Sequence, residues 1–214
     1  MASPAAAGPS LLPTTDILTT TNTSPNTDAF VYPPQYSFPP FYTLQPNLTT
    51  RASQLSSWSG LILAYAAHAN PRLYRLTPAH SIFTNTALRR TLAPTDARLV
   101  LAHMVEHGRA AWTDPTAATK ARKAGAGSDG GGGEVWLYWR TPEEWAQQLG
   151  SWVEATGQRN TVLTLYELLE GDATSREEFH GLPVEVAKSA VAVLVRRGRA
   201  QMLGEGDGVG VKFF

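Results

Sequence analysis

His103-Met104-Val105-Glu106-His107 sets two imidazoles one helical turn apart with a glutamate between them, the spacing of a zinc-peptidase motif in which both histidines bind metal and the glutamate activates water. The chain itself argues against that chemistry. Ninety residues on (196 minus 106), Arg196 and Arg197 stand at the positions of Glu106 and His107 in a repeat of the same pattern. A solvated helix face accounts for the pair. His68, His80 and His180 lie apart, with no serine or acid in a nucleophile motif, so no triad can be assembled. The glycines at 125–133 lack the Gly-Lys-Ser/Thr ending of a phosphate loop and lead into no helix. Glu143 and Glu144 are adjacent, hence on different helix faces, and suit capping better than acid/base work. With zero Cys there is no thiolate nucleophile, disulfide or cysteine zinc site, which suits a reducing compartment. The residues imply neither an enzyme nor a cofactor or metal.

The informative residues are apolar. Pro33-Pro34-Gln35-Tyr36 and Pro39-Pro40-Phe41-Tyr42 are two Pro-Pro-x-Tyr motifs six residues apart, with Phe38 between them. Proline favours an extended polyproline II arm, and each motif ends in a large amphipathic ring. The expectation is an arm that docks on a partner, with Tyr36 and Tyr42 entering apolar pockets there. Two other readings remain. The arm could fold back over its own core, or it could recruit WW domains of ubiquitin ligases, which read the same geometry.

The elements that must carry these residues follow from periodicity. Leu55, Trp58, Ile62 and Tyr65 recur at helical spacing and stop before Pro71. A short second helix is expected over 81–92 and a third over 94–107, with Ala97, Leu101, Met104 and Val105 inward and Gly108 as its stop. Strand-like segments at 109–113 and 134–140 flank a Gly-rich loop at 114–133. The pattern then begins again. Thr141-Pro142-Glu143-Glu144 reads as a capping box, with Trp145, Leu149, Trp152 and Val153 on the buried stripe. Helices over 164–170 and 183–197 follow, then a hairpin of 199–203 and 209–213. Gly108-Arg109-Ala110 overlies Gly198-Arg199-Ala200, with Leu101 over Val191 and Met104 over Leu194. Three helices followed by a hairpin is the winged-helix arrangement. The expected fold is therefore mostly α with small β-hairpins (α+β): two tandem winged-helix domains, 47–140 and 141–214, behind an extended Pro/aromatic arm at 30–46 and a disordered tail at 1–29.

The 214 residues carry 18 basic and 18 acidic side chains, so no net field holds a phosphate backbone. Thr95, Asp96 and Arg98 begin one third helix and Val184, Glu185 and Lys188 the other, and neither is a basic stripe. Nucleic acid is not an expected partner. Residues 1–50 contain no Lys or Arg, hence no secretory or transit signal, and no apolar run approaches the roughly 18 residues that cross a bilayer. The chain reads as unprocessed and cytosolic.

These residues resemble a known family, the small subunit of the endosomal sorting complex ESCRT-II, the vacuolar protein sorting-associated protein 25 family. The similarity spans 32–214. Its most specific pieces are YSFPPFYTLQPN (36–47), TPEEW (141–145), TLYEL (164–168), EEFHGLP (177–183) and GVKFF (210–214). The resemblance implies a non-catalytic subunit of multivesicular body formation, cytoplasmic and recruited to the endosome, touching membrane only indirectly. It implies two copies of this chain on two larger winged-helix subunits, reached through the first domain and through Pro33, Pro34, Tyr36, Phe38, Pro39, Pro40, Phe41 and Tyr42. Arg90 aligns with a family arginine that pairs with an acid on the partner. The second domain is expected to bind the subunit that initiates ESCRT-III, near the third helix and the terminal hairpin. Lys188, Arg196, Arg197 and Arg199 supply local positive charge there, and Val209, Val211 and Phe213 an alternating apolar row.

Overall fold

The computed structural model describes residues 30–69, 72–114, 116, 133–204 and 208–214. The tail expected at 1–29 and nearly all of the Gly-rich loop expected at 114–133 lie outside the described residues.

Helix α1 runs Leu48–His68, begun by Asn47, whose side chain accepts from the Thr50 N–H. It turns Gln54, Trp58, Leu61, Ile62 and Ala66 inward, a stripe at three- and four-residue spacing. Strand β1 (Arg75–Leu76) follows, then a 3-10 turn (Ser81–Phe83), the two-residue strands β2 (Thr84–Asn85) and β3 (Arg90–Thr91), and helix α2 (Pro94–Glu106). Strands β4 (Ala110–Trp112) and β5 (Val135–Leu137) complete a sheet ordered β1-β5-β4, all antiparallel, with Leu76 and Trp112 both opposite Val135.

The second unit repeats this plan. It consists of α3 (Pro142–Ala155), β6 (Val162–Thr164), α4 (Leu165–Glu170), a 3-10 turn (Asp172–Thr174), α5 (Val184–Arg196), β7 (Ala200–Leu203) and β8 (Gly210–Phe213). Its sheet is ordered β6-β8-β7. The bounds of α2 and α5 differ by 90 residues at both ends (184 minus 94, 196 minus 106). Both end alike: Gly108 and Gly198 take φ +66 and +67, a left-handed stop that costs any residue with a Cβ. The Arg109 and Arg199 N–H groups then reach back to the carbonyls of Met104 and Leu194. Thr141 forms the expected capping box with Glu144, and Thr164 forms another with Glu167. Each sheet has a third strand, β1 in the first and β6 in the second, that the sequence did not disclose.

One element differs. The helix expected over 81–92 is a 3-10 turn and a small hairpin. In a helix the carbonyls of Ile82 and Thr84 would accept from N–H groups four residues on; here both accept from the Tyr36 hydroxyl, at 3.3 and 2.9 Å. The Asn85 side chain accepts from the Leu88 N–H at 3.0 Å, a local bond that competes with helix, and Arg89 turns the chain at φ +52.

The apolar interior forms two clusters. Trp58, Phe83, Leu101, Met104 and Leu137 belong to one, and Trp145, Leu149, Phe179, Val191 and Val211 to the other. Leu137 belongs to the first and Tyr138, the next residue, to the second. The capping box at the start of the second unit yields a prediction. Thr141→Ala removes the hydroxyl that accepts from the Glu144 N–H, and chemical denaturation should show a loss of about 1 kcal/mol.

Candidate functional site

Five of the residues from Pro33 to Pro46 are prolines, which have no N–H, so the arm cannot join a ladder or a long helix. It makes two 3-10 turns instead, Pro34–Ser37 and Pro39–Tyr42, each with proline at its start, where φ is already set. This corrects the fully extended arm. The turns close through the Tyr36 N–H on the Pro33 carbonyl (2.9 Å) and the Phe41 N–H on the Phe38 carbonyl (2.9 Å).

Side chains of the first unit bond further carbonyls of the arm. Gln54 donates to the Phe41 and Thr43 carbonyls at 2.9 and 3.0 Å and accepts from the Gln45 N–H. The Trp58 indole donates to the Phe41 carbonyl at 3.2 Å, and Asn85 donates to the Tyr36 carbonyl at 2.9 Å. Phe41 stacks on Trp58 with centroids 4.3 Å apart, and the Tyr42 hydroxyl donates back to the Tyr36 carbonyl at 2.8 Å. Tyr36 and Tyr42 are only 7% and 4% exposed, and Phe41 is buried beside them. These three rings are core residues of their own unit, which corrects the expectation that Tyr36 and Tyr42 enter a partner's pockets. The arm folds back because the first core takes up its rings and its carbonyls together. Burial, and next the neighbouring Tyr42 hydroxyl, push the Tyr36 pKa well above the ordinary tyrosine value of 10.0.

Gln54, Trp58 and Asn85 are the fixing residues that motif reading passed over. A signal existed for one of them: Gln54 is a polar side chain on the inward stripe, four residues before Trp58.

The same fold leaves an outer surface. Phe38 is 58% exposed, and Pro34, Pro39 and Pro40 are exposed around it. Phe38, Pro40, Gln45 and Ser53 border an open groove of about 380 Å³ between the arm and α1. Arg90 is exposed on β3 rather than on a helix, and β3 packs against the second arm turn. Among the described residues it makes no ion pair. Pro33 is half-buried where the arm begins.

In the second unit, Lys188 pairs with Glu185 at 3.1 Å, Arg196 with Glu143 at 3.7 Å, and Arg199 with Glu154. Arg197 is exposed and, among the described residues, makes no ion pair. Val209, Val211 and Phe213 are buried. Their alternation is as expected, but β8 is the central strand of its sheet and its apolar row faces the core. This removes all three from a binding surface. The exposed apolar side chains of the unit are Val162, Tyr166, Val184, Val195, Met202, Leu203 and Phe214.

The rings of His103 and His107 lie 4.0 Å apart at the end of α2, tilted by 42°, and a ring nitrogen of His107 lies 2.8 Å from the His103 carbonyl. Burial and the neighbouring His107 push the His103 pKa down. Among the described residues no group of three or more His, Cys, Asp or Glu side chains is placed to hold a metal ion, and no helix is long and apolar enough to cross a membrane.

Comparison with known proteins agrees with this architecture. Residues 35–183 match the ESCRT-II complex subunit family. The chain is 37% identical over 190 residues to vacuolar protein-sorting-associated protein 25 of Danio rerio, covering 87% of this chain and 99% of that protein. It is 36% identical over 188 residues to the Homo sapiens protein of the same name, covering 87% and 98%. Among solved structures it resembles subunit VPS25 of the endosomal trafficking complex ESCRT-II, with a TM-score of 0.69 and 28% identity over 86% of this chain and 98% of that one. It also resembles a chain in the crystal structure of the endosomal complex ESCRT-II (VPS22/VPS25/VPS36), with a TM-score of 0.67 and 28% identity over 85% and 98%.

The buried tyrosines make an alkaline prediction. A hydroxyl whose folded pKa lies above its unfolded value contributes stability below pH 10.0 and loses it as pH rises through the folded value. Stability should therefore fall above pH 10, and Tyr36→Phe should flatten that fall while costing about 1 kcal/mol at neutral pH through its lost hydrogen bond. Denaturant midpoints measured across pH 7–11 check both.

Proposed function

Because the chain belongs to the ESCRT-II complex subunit family, together with the proteins called vacuolar protein-sorting-associated protein 25, we propose that it is a non-catalytic subunit of ESCRT-II that joins the two larger winged-helix subunits and recruits the initiating subunit of ESCRT-III. In this reading two copies enter each complex. The chain works at the endosome, where it serves multivesicular body sorting of ubiquitinated cargo and touches membrane only through its partners. The domains are 47–140 for assembly and 141–214 for recruitment.

The observation that carries assembly is the pinned arm. Gln54, Trp58 and Asn85 hold it in one conformation, so the cost of ordering a proline-rich segment is met within the monomer and not at the interface. What it presents is Phe38 among Pro34, Pro39 and Pro40, with Pro33 at its edge, while Arg90 is exposed on β3, which packs against the second arm turn. An exposed aromatic on a preformed surface, with an exposed arginine on the adjoining strand, is the composition of an interface centre. Tyr36, Phe41 and Tyr42 act indirectly, by holding that surface in place. The same burial disfavours a WW-domain adaptor: a WW domain reads the tyrosine of an extended motif, and both tyrosines are enclosed.

For recruitment, Arg197 and the paired Lys188, Arg196 and Arg199 remain as steering charge, and the exposed apolar residues of the second unit replace Val209, Val211 and Phe213 as contact area.

Assembly is tested by titrating the full chain against the two larger subunits. Phe38→Ala should weaken assembly at least about tenfold, which is 1.4 kcal/mol, with the melting temperature unchanged. Arg90→Ala should cost about 2 to 5 kcal/mol if its partner acid is left buried; a loss below about 1 kcal/mol would place it on open surface. Recruitment is tested separately by association kinetics. Arg197→Glu with Lys188→Glu should slow capture of the ESCRT-III subunit and flatten its dependence on salt, and unchanged rates would move the contact elsewhere.

A further inference from the structure

The segment EEFHGLP includes a carboxylate that the assembly and recruitment surfaces do not use. Glu178 accepts from Arg72 of the first unit at 3.3 Å, from Arg140 where the chain crosses between units, and from Gln148 on α3 at 3.2 Å. Its place on the second unit is fixed by its neighbour: Phe179 is buried and meets Trp152 edge-on with centroids 5.9 Å apart. The guanidiniums also have a common platform. Arg72 lies 4.6 Å from the centroid of Trp139, Arg140 lies 5.8 Å from it, and Trp145 of the TPEEW segment meets the same ring edge-on at 5.1 Å.

We propose that Glu178 is the clamp that sets the angle between the two winged-helix units, so that the chain acts as a strut with one fixed bend. Apolar packing of Tyr74, Ala111, Trp136 and Trp139 against the second core supplies area but little direction. Direction comes from the bidentate carboxylate. Its two oxygens take different donors, Oε1 from the first unit and Oε2 from the second unit and the crossing, so a swing of one unit must break one side. Partial burial raises the Glu178 pKa, but the hydrogen bonds from Arg140 and Gln148 outweigh it and hold the carboxyl below the ordinary glutamate value, so it stays charged. The side chains of Arg72, Arg140 and Glu178 are 37%, 36% and 31% exposed, which leaves the clamp within reach of salt screening.

The chain contains no cysteine, so spin labels can be placed cleanly at Thr49→Cys on α1 and Gln201→Cys on β7, both exposed. Double electron–electron resonance on the full chain should give one narrow distance peak. Glu178→Gln should lose that peak to a broad distribution while circular dichroism and melting temperature stay as in the parent. Arg72→Gln should do the same and Arg72→Lys, which keeps the charge, should retain the narrow peak. High salt should broaden the parent. A peak as narrow as the parent's in both Glu178→Gln and Arg72→Gln overturns the proposal. If Glu178→Gln fails to fold, Arg72→Gln decides alone, since it leaves Phe179 untouched.

Discussion

A proline-rich segment has too few N–H groups to satisfy all of its own carbonyls, and the first winged helix is organised around those that this leaves over. Gln54, Trp58 and Asn85 each turn a side-chain donor onto the arm, and all three are in or against the core. A buried carbonyl without a partner costs about 1 to 3 kcal/mol, so the donors and the arm hold one another in position. Trp58 does two things at once, donating to the Phe41 carbonyl and stacking on the Phe41 ring, and it also meets the Phe83 ring. The consequence runs outward from there. Tyr36 occupies the carbonyls of Ile82 and Thr84, the segment becomes a hairpin, and the hairpin carries Arg90.

Much of this architecture was legible, and the legible parts share a physical basis. Gly108 and Gly198 stop their helices because the left-handed conformation suits glycine, and Thr141 and Thr164 start theirs through a side chain three residues away from its partner. These are local effects, so the residues that cause them are adjacent to the elements they shape. The 90-residue repeat gave the glycine stop a second copy. The family was legible for a related reason, since its motifs sit at such starts and stops.

What stayed hidden depends on partners distant in sequence. The arm's motifs read as extended because proline alone favours that, and only Gln54, Trp58 and Asn85 turn it inward. The segment at 81–92 looked helical until Tyr36, more than forty residues earlier, claimed its carbonyls. Val209, Val211 and Phe213 showed the correct alternation, but a period of two says that one face differs from the other without saying which face is covered. The neighbouring strands β6 and β7 decide it, and β6 pairs with β8 from almost fifty residues away. Phe38 and Arg90 are exposed because nothing in the fold competes for them, although Arg90 lies on β3 and not on the helix expected over 81–92.

The two wings are unequal in one respect that follows from their strand ends. Between Trp112 and Val135 the chain runs through 22 residues, and between Leu203 and Gly210 through 6 (134 minus 113 plus 1, and 209 minus 204 plus 1). Bringing the ends of a chain together becomes harder only logarithmically with its length, by about 0.6 kcal/mol per doubling. The longer connection therefore costs the first wing only about 1 kcal/mol more than the second. The equilibrium scarcely registers such an insertion, and the rate of closure feels it more. The first sheet must wait for a distant strand during folding, whereas the second zips from a nearby turn, so the carboxyl-terminal unit has the entropic head start in reaching its native topology.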